Sequence, residues 1–454
     1  MNELGYHLPV WSVLPFVGML LSIAITPLVK PHFWEKHLFK VAIFWSLTFL
    51  IPFAFAFGAG EALTQFLEIM LLDYLPFIVL LWGLFTVSGG IVLRGDMTGT
   101  PKQNLLFLSI GTVIASWIGT TGASALMIRP LLKANKWRKK KAHTVVFFIF
   151  MVSNLGGCLT PLGDPPLFLG FLRGVPFFWT MNLLPLFLFN SVVLLVVYFL
   201  MDSRLYKKEI ESGGESKVSP LNEKKSRIDG LYNLIFLMMI LAGVILSGIL
   251  ADNPAFLDAS GKLNGFHVYH DVVIPFTSLI QMGIILLAGL LSLRTTKKEL
   301  HEANFFTWGP IKEVGGLFVG IFITMIPALA ILNVRGADLG LVQPWQYFWA
   351  TGALSSFLDN APTYLVFLST ASSLNATSGV VTTMGTIAPG ILMAISAGAV
   401  FMGANTYIGN APNFMVRSIA EENDVKMPSF FGYMAWSLAV LIPLFIVDTF
   451  VFFV

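Results

Sequence analysis

A continuous run of about twenty apolar residues, wound as helix, is long enough to cross a hydrocarbon core of about 30 Å. This chain has many such runs. Clear apolar segments cover 9–29, 38–58, 76–93, 143–172, 176–200, 231–250, 272–293, 314–333, 387–416 and 430–454. Two more, 104–132 and 344–372, are apolar but broken by small polar residues. Only 12% of the 454 residues are charged and 56% are hydrophobic, with a mean hydropathy of +0.78. A soluble domain carries about twice that charge. Soluble enzymes, nucleic-acid binders and disordered scaffolds are excluded. An outer-membrane barrel fits poorly, because the runs are continuous rather than alternating. Cys158 is the only cysteine, so no intramolecular disulfide forms. The N-terminus has neither a basic stretch nor a small-residue cleavage pattern, and no cleavable signal peptide is expected.

Positive charge sets orientation. The segments 30–40, 94–104, 133–141, 201–230, 294–312 and 417–428 hold 24 of the 28 Lys and Arg residues. The opposite segments, 59–75, 173–175, 251–271, 334–343 and 373–386, hold only Arg173, Lys262 and Arg335. The expected protein is therefore multi-pass in the inner (cytoplasmic) membrane, with both termini outside and 201–230 as a flexible cytoplasmic linker. Segment 104–132 then enters and leaves from the cytoplasmic side, and 344–372 from the outside. Both read as re-entrant hairpins, which survive at membrane depth only when buried in protein or lining a watery cavity.

The chain repeats itself at an offset of 246. Residues 157–168 read GCLTPLGDPPLF and residues 403–414 read GANTYIGNAPNF, with five of twelve positions identical. A weaker match lays Ser116–Gly122 on Ser356–Pro362. The expected fold is an all-α polytopic membrane protein made of two inverted-topology repeats. Residues 1–200 form the first, with its hairpin at about 104–132 and a broken helix at about 143–172. The second spans 231–454, with its hairpin at about 344–372 and a broken helix at about 387–416.

The shared Gly and Pro positions interrupt helices near mid-membrane. Such breaks expose N–H and C=O groups that bind ions. Candidate binding groups at this level are Asn154, Thr160, Gly163 and Asp164 in the first broken helix. Asn405, Thr406, Gly409 and Asn410 are their counterparts in the second. The hairpins add Thr120, Thr121, Asp359, Asn360 and Thr363. A carboxylate at bilayer centre costs about 2.5–3.5 kcal/mol, so Asp164 and Asp359 need compensation. The plain alternative is helix capping, which suits Asp164 better because Pro165 and Pro166 follow it. Arg129 reads as a rim cation, with a counter-ion role for Asp164 or an anion contact as the alternative. Arg138 and its neighbouring lysines read as a cytoplasmic anchor. Asp73 and Asp448 read as interfacial residues, His143 as a span-end residue, and Arg94 with Asp96 as cytoplasmic-edge residues.

The motif G-x-x-T-x-[LI]-G-[DN]-x-P after each hairpin resembles the ion-transporter superfamily. That superfamily includes sodium/dicarboxylate symporters, citrate–metal carriers, arsenite permeases and NhaD-type sodium/proton antiporters. Ser356–Thr363, SFLDNAPT, looks most like the hairpin of the NhaD and arsenite-permease branches. The resemblance implies a scaffold, a transport domain that moves as an elevator, and a homodimer in the bilayer. The main reading is a sodium (or lithium)/proton antiporter rather than an enzyme. Na⁺ would sit at Asp164, Asp359, Asn360 and Asn405. No resident cofactor is expected beyond the transported Na⁺ or Li⁺ and H⁺. The alternative is a Na⁺- or H⁺-coupled carrier for citrate, a dicarboxylate or arsenite. A channel or non-transporting scaffold is a third possibility.

Overall fold

The computed structural model describes residues 4–94, 98–212, 227–258 and 261–454. Asp96 and most of the expected linker lie outside the described residues. The first half contains α1 (Leu4–His7), α2 (Leu14–Val29), α3 (Pro31–Phe57), α4 (Ala59–Glu68), α5 (Leu75–Ser88), β1 (Val92–Arg94), α6 (Pro101–Ile118), α7 (Thr120–Ala134), α8 (Ala142–Met151), α9 (Pro165–Leu172) and α10 (Leu184–Glu211). After β2 (Arg227–Asp229) come α11 (Asn233–Ala251), β3 (Gly265–Tyr269), β4 (Val272–Pro275), α12 (Phe276–Thr295), α13 (Lys298–Ala303) and α14 (Gly309–Arg335). The chain closes with α15 (Pro344–Phe357), α16 (Asn360–Ser372), β5 (Val380–Thr382), β6 (Gly385–Ile387), α17 (Pro389–Met402), α18 (Ala411–Glu422) and α19 (Phe430–Asp448).

Among the described residues, eight helices are long and apolar enough to cross a membrane. They coincide with the clear apolar runs other than 143–172 and 387–416, which are helices broken in the middle. Large side chains such as Phe55, Val192 and Ile235 point outward, where lipid tails lie. The protein is a multi-pass membrane protein.

Three local readings need correction. The expected loop 59–75 is helical: α4 runs through a π-turn at Ile69–Tyr74 into α5. Pro76 has no N–H to donate, and the wider turn before it absorbs the missing bond. The expected linker starts late, because α10 continues to Glu211 and buries Asp202 and Glu209, seven residues apart, on one face. The linker's far end is also held, since β2 pairs antiparallel with β1. Finally, the fold is not purely helical: β3–β4 and β5–β6 form two further small ladders.

The two interrupted segments are helix pairs. The α6 and α7 helices pack on each other and meet at Gly119, whose φ of 82° suits glycine. The α15 and α16 helices pack likewise and meet at Leu358–Asp359. At 1.5 Å per residue, α7, α15 and α16 each fall short of a hydrocarbon core of about 30 Å.

Candidate ion and substrate site

The two broken helices are built alike. The first gap, between α8 and α9, holds one 3-10 turn at Leu155–Gly157. The second, between α17 and α18, holds one at Gly403–Asn405. Glycine is required in both because backbone meets backbone. A Cβ on Gly163 would strike the carbonyl of Gly157, and one on Gly409 would lie 2.5 Å from the carbonyl oxygen of Gly403. Gly163→Ala or Gly409→Ala is expected to cost about 1–3 kcal/mol through overpacking. A thermal melt checks this against Gly60→Ala, where the new Cβ would meet only Tyr269 Oη at 3.7 Å.

The same hydrogen bonds tie each gap to its helix pair. Thr160 Oγ1 donates to the Ser116 carbonyl, and Thr406 Oγ1 to the Ser356 carbonyl. Ser116 Oγ donates to Gly156 O at 2.5 Å, and Ser356 Oγ to Met402 O at 3.1 Å. Each threonine Oγ1 also accepts the N–H two residues on, Leu162 or Ile408, at 3.2 Å. Thr160 and Thr406 are thereby spent on holding backbone. Ser116 and Ser356 were legible only as a weak alignment, yet they are the docking points.

Asp164 and Asn410 occupy matched positions just before α9 and α18, both with extended backbone. Neither side chain caps its own helix, contrary to the capping expectation for Asp164. Prolines at the start of each helix remove donors such a cap would use. The two side chains instead face each other, Asn410 Nδ2 donating to Asp164 Oδ1 at 3.1 Å. Thr120 Oγ1 donates to the same oxygen at 2.8 Å, and Asn360 Nδ2 donates to Oδ2 at 2.6 Å. One buried carboxylate thus joins both helix pairs and both broken helices. Asn154 extends the cluster: its Oδ1 accepts from Asn410 at 3.3 Å and its Nδ2 donates to Asn413 Oδ1 at 2.7 Å.

The other candidates have different surroundings. Asp359 is the residue that caps, accepting the Ala361 N–H at 3.0 Å. Thr363 donates back to the Asp359 carbonyl. Asn405 donates to Ser356 Oγ at 2.9 Å. Among the described residues, the buried Oδ1 atoms of Asn360 and Asn405 have no hydrogen-bond partner. Arg129 stacks on Phe305, 4.9 Å from its ring centre, rather than meeting Asp164. Arg138 is no surface anchor: it is fully buried, with Asp202 at 2.6 Å and Glu209 at 3.1 Å. His143 is likewise buried, 2.8 Å from Asp202. Asp73 and Asp448 are not interfacial either; both are buried, Asp73 against Arg173 and Asp448 against Asn190.

A cavity of about 60 Å³ opens beside Asp164. The tip Gly119–Gly122 and the Pro161–Pro165 turn wall one side, and apolar residues of α5, such as Phe77 and Leu80, wall the other. Among the described residues, no lysine or arginine lines it. At the start of α7, the Thr120 N–H donates to Gly163 O and the Ala123 N–H to Gly119 O. Among the described residues, the N–H groups of Thr121 and Gly122 between them have no backbone partner, and both residues line the cavity. A helix N-terminus with free N–H groups attracts anions.

Apolar spans surrounding paired broken helices, with a polar cluster where they meet, are the features of a membrane transport protein. Residues 5–453 match a family model described as "Putative citrate transport". The chain belongs to that family. No curated protein matches it significantly.

Proposed function

We propose that this protein is a secondary carrier for a citrate-like anion that travels with a cation. The observation that carries this reading is the charge balance of the cavity. Free N–H groups at the start of α7 suit a carboxylate of the substrate. The same wall carries Asp164 and, among the described residues, no basic side chain. A polyanion beside a buried carboxylate needs neutralisation, and a bound cation is the economical source. Asp164 with the free Asn360 Oδ1 offers oxygen ligands, which hard cations prefer. The family's description points the same way.

The halves are inverted repeats, and the α6–α7 and α15–α16 pairs are re-entrant hairpins. The hairpins and broken helices move as one body against α5 and α14 in an elevator-type cycle, in a homodimer in the inner membrane. The loop 201–230 faces the cytoplasm. A cavity of about 60 Å³ holds only a few waters. Citrate therefore enters only when the hairpin tip and α5 separate.

Sodium (or lithium)/proton exchange is the second reading. It is favoured by the all-oxygen surroundings of Asp164, with Na⁺ drawn from Asp164, Asp359, Asn360 and Asn405. Reconstitution into liposomes with an internal pH dye separates the two. The carrier reading expects labelled citrate uptake that requires Na⁺, Mg²⁺ or a proton gradient. A pH response to Na⁺ or Li⁺ alone, with no citrate uptake under any cation, would establish the exchanger instead.

A further inference from the structure

The 246-residue offset relates one more pair of residues. Asp202 near the end of α10 corresponds to Asp448 at the end of α19, and both are fully buried. Their surroundings differ. Asp202 is paired with Arg138 at 2.6 Å and His143 at 2.8 Å, and Asn104 and Tyr198 donate to its other oxygen. Asp448 has Asn190 Nδ2 at 3.0 Å from each of its oxygens. Among the described residues no cation pairs with it. On α10, Leu184–Val197 contains no ionisable side chain. The packed helix α15 has only Tyr347, and α19 itself has only Tyr433 besides Asp448.

A buried carboxylate held by one neutral amide is poorly compensated. A protonated carboxyl at the same place has an acceptor at hand. Asn190 Oδ1 is buried and without a partner, as is the adjacent Ser191 Oγ. Turning the Asn190 amide over offers its oxygen to the acid proton, at the loss of the Nδ2 bond to the Leu186 carbonyl at 2.9 Å. The pair thus has one arrangement for each protonation state.

We propose that Asp448 is a proton-binding site, separate from the Asp164 cluster, which loads and releases one proton in each transport cycle. The proposal rests on the carrier reading for its place in the cycle, while the binding of the proton stands on the pair itself. The test uses the full chain in liposomes, with infrared spectra taken across a pH series alongside citrate uptake and internal pH. Wild type should show a protonated-carboxyl band that Asp448→Asn lacks. In uptake, Asp448→Asn should lose proton movement and pH dependence, and Asp448→Glu should keep both. Identical infrared bands, or identical pH profiles and proton movement, in wild type and Asp448→Asn overturn the proposal. If Asp448→Asn does not fold, Asn190→Leu takes its place and must shift the pH at which the band disappears; an unmoved band overturns the proposal. If wild type carries no citrate, the carrier reading fails, and the infrared band alone decides whether Asp448 holds a proton.

Discussion

Asp164→Asn is expected to lower transport by at least about 10-fold, whereas Asp359→Asn has a much smaller effect. The difference follows from the bonds each acid accepts. Asp164 accepts three side-chain donors from three separate elements. An amide can accept on one side only, so its NH₂ group must face at least one of those donors. Hydrogen bonds to a charged group contribute about 1.5–3 kcal/mol each. Losing one or two of them amounts to roughly 10–10⁴-fold, at about 1.4 kcal/mol per factor of ten. Asp359 accepts one backbone N–H, and asparagine caps helices about as well as aspartate. Uptake rates of both variants, with melting temperatures as a folding control, check the ranking. Equal losses in the two would show that the bonds around Asp164 do not set its importance.

Breaking the Asp73–Arg173 pair should produce a large loss of stability. Arg173 Nη2 donates to Asp73 Oδ2, and both side chains are buried. Asp73 lies in the π-turn between α4 and α5, one turn before Phe77 of the cavity wall. Arg173 ends α9, five residues after Phe168 of the opposite wall. The pair therefore clasps the two walls together at one end of the cavity. Removing one partner leaves a buried charge alone and costs about 3–5 kcal/mol. Asp73→Asn and Arg173→Met should each lower the melting temperature sharply, and the double variant should recover most of the loss. Additive losses in the double-mutant cycle would show that the two charges do not depend on each other.

The sequence showed much of this architecture because hydrophobicity and helix breakers act locally. Eight long apolar runs became long apolar helices, and the two runs carrying shared Gly and Pro residues became helices broken at those residues. The candidate cluster was legible for a similar reason. Thr120, Asp164, Asn360 and Asn410 are polar residues inside apolar segments, so they had to meet something polar. Which of them met was not legible. The capping roles of the two acids came out reversed, since Pro166 has no N–H to give Asp164 where Ala361 gives one to Asp359. Charge counting also misplaced buried ions. Arg138 sits among surface lysines in sequence, and Asp202 lay inside an expected linker. Only the three-dimensional approach of the segment after α7 to the end of α10 pairs them. Asp73 and Arg173 are 100 residues apart, and nothing local links them. The 246-residue offset also relates Asp202 to Asp448, a local sign in the sequence that both belong to the repeated interior.

Calorimetric titration of citrate into the purified protein, with and without Na⁺ or Mg²⁺, tests the central claim most directly. The account predicts binding that requires one of these cations or, where the proton takes their place, a lowered pH, and that is lost in Asp164→Asn. Binding that ignores both the cation and the Asp164 substitution would contradict it, as would the absence of any citrate binding beside a Na⁺-dependent signal.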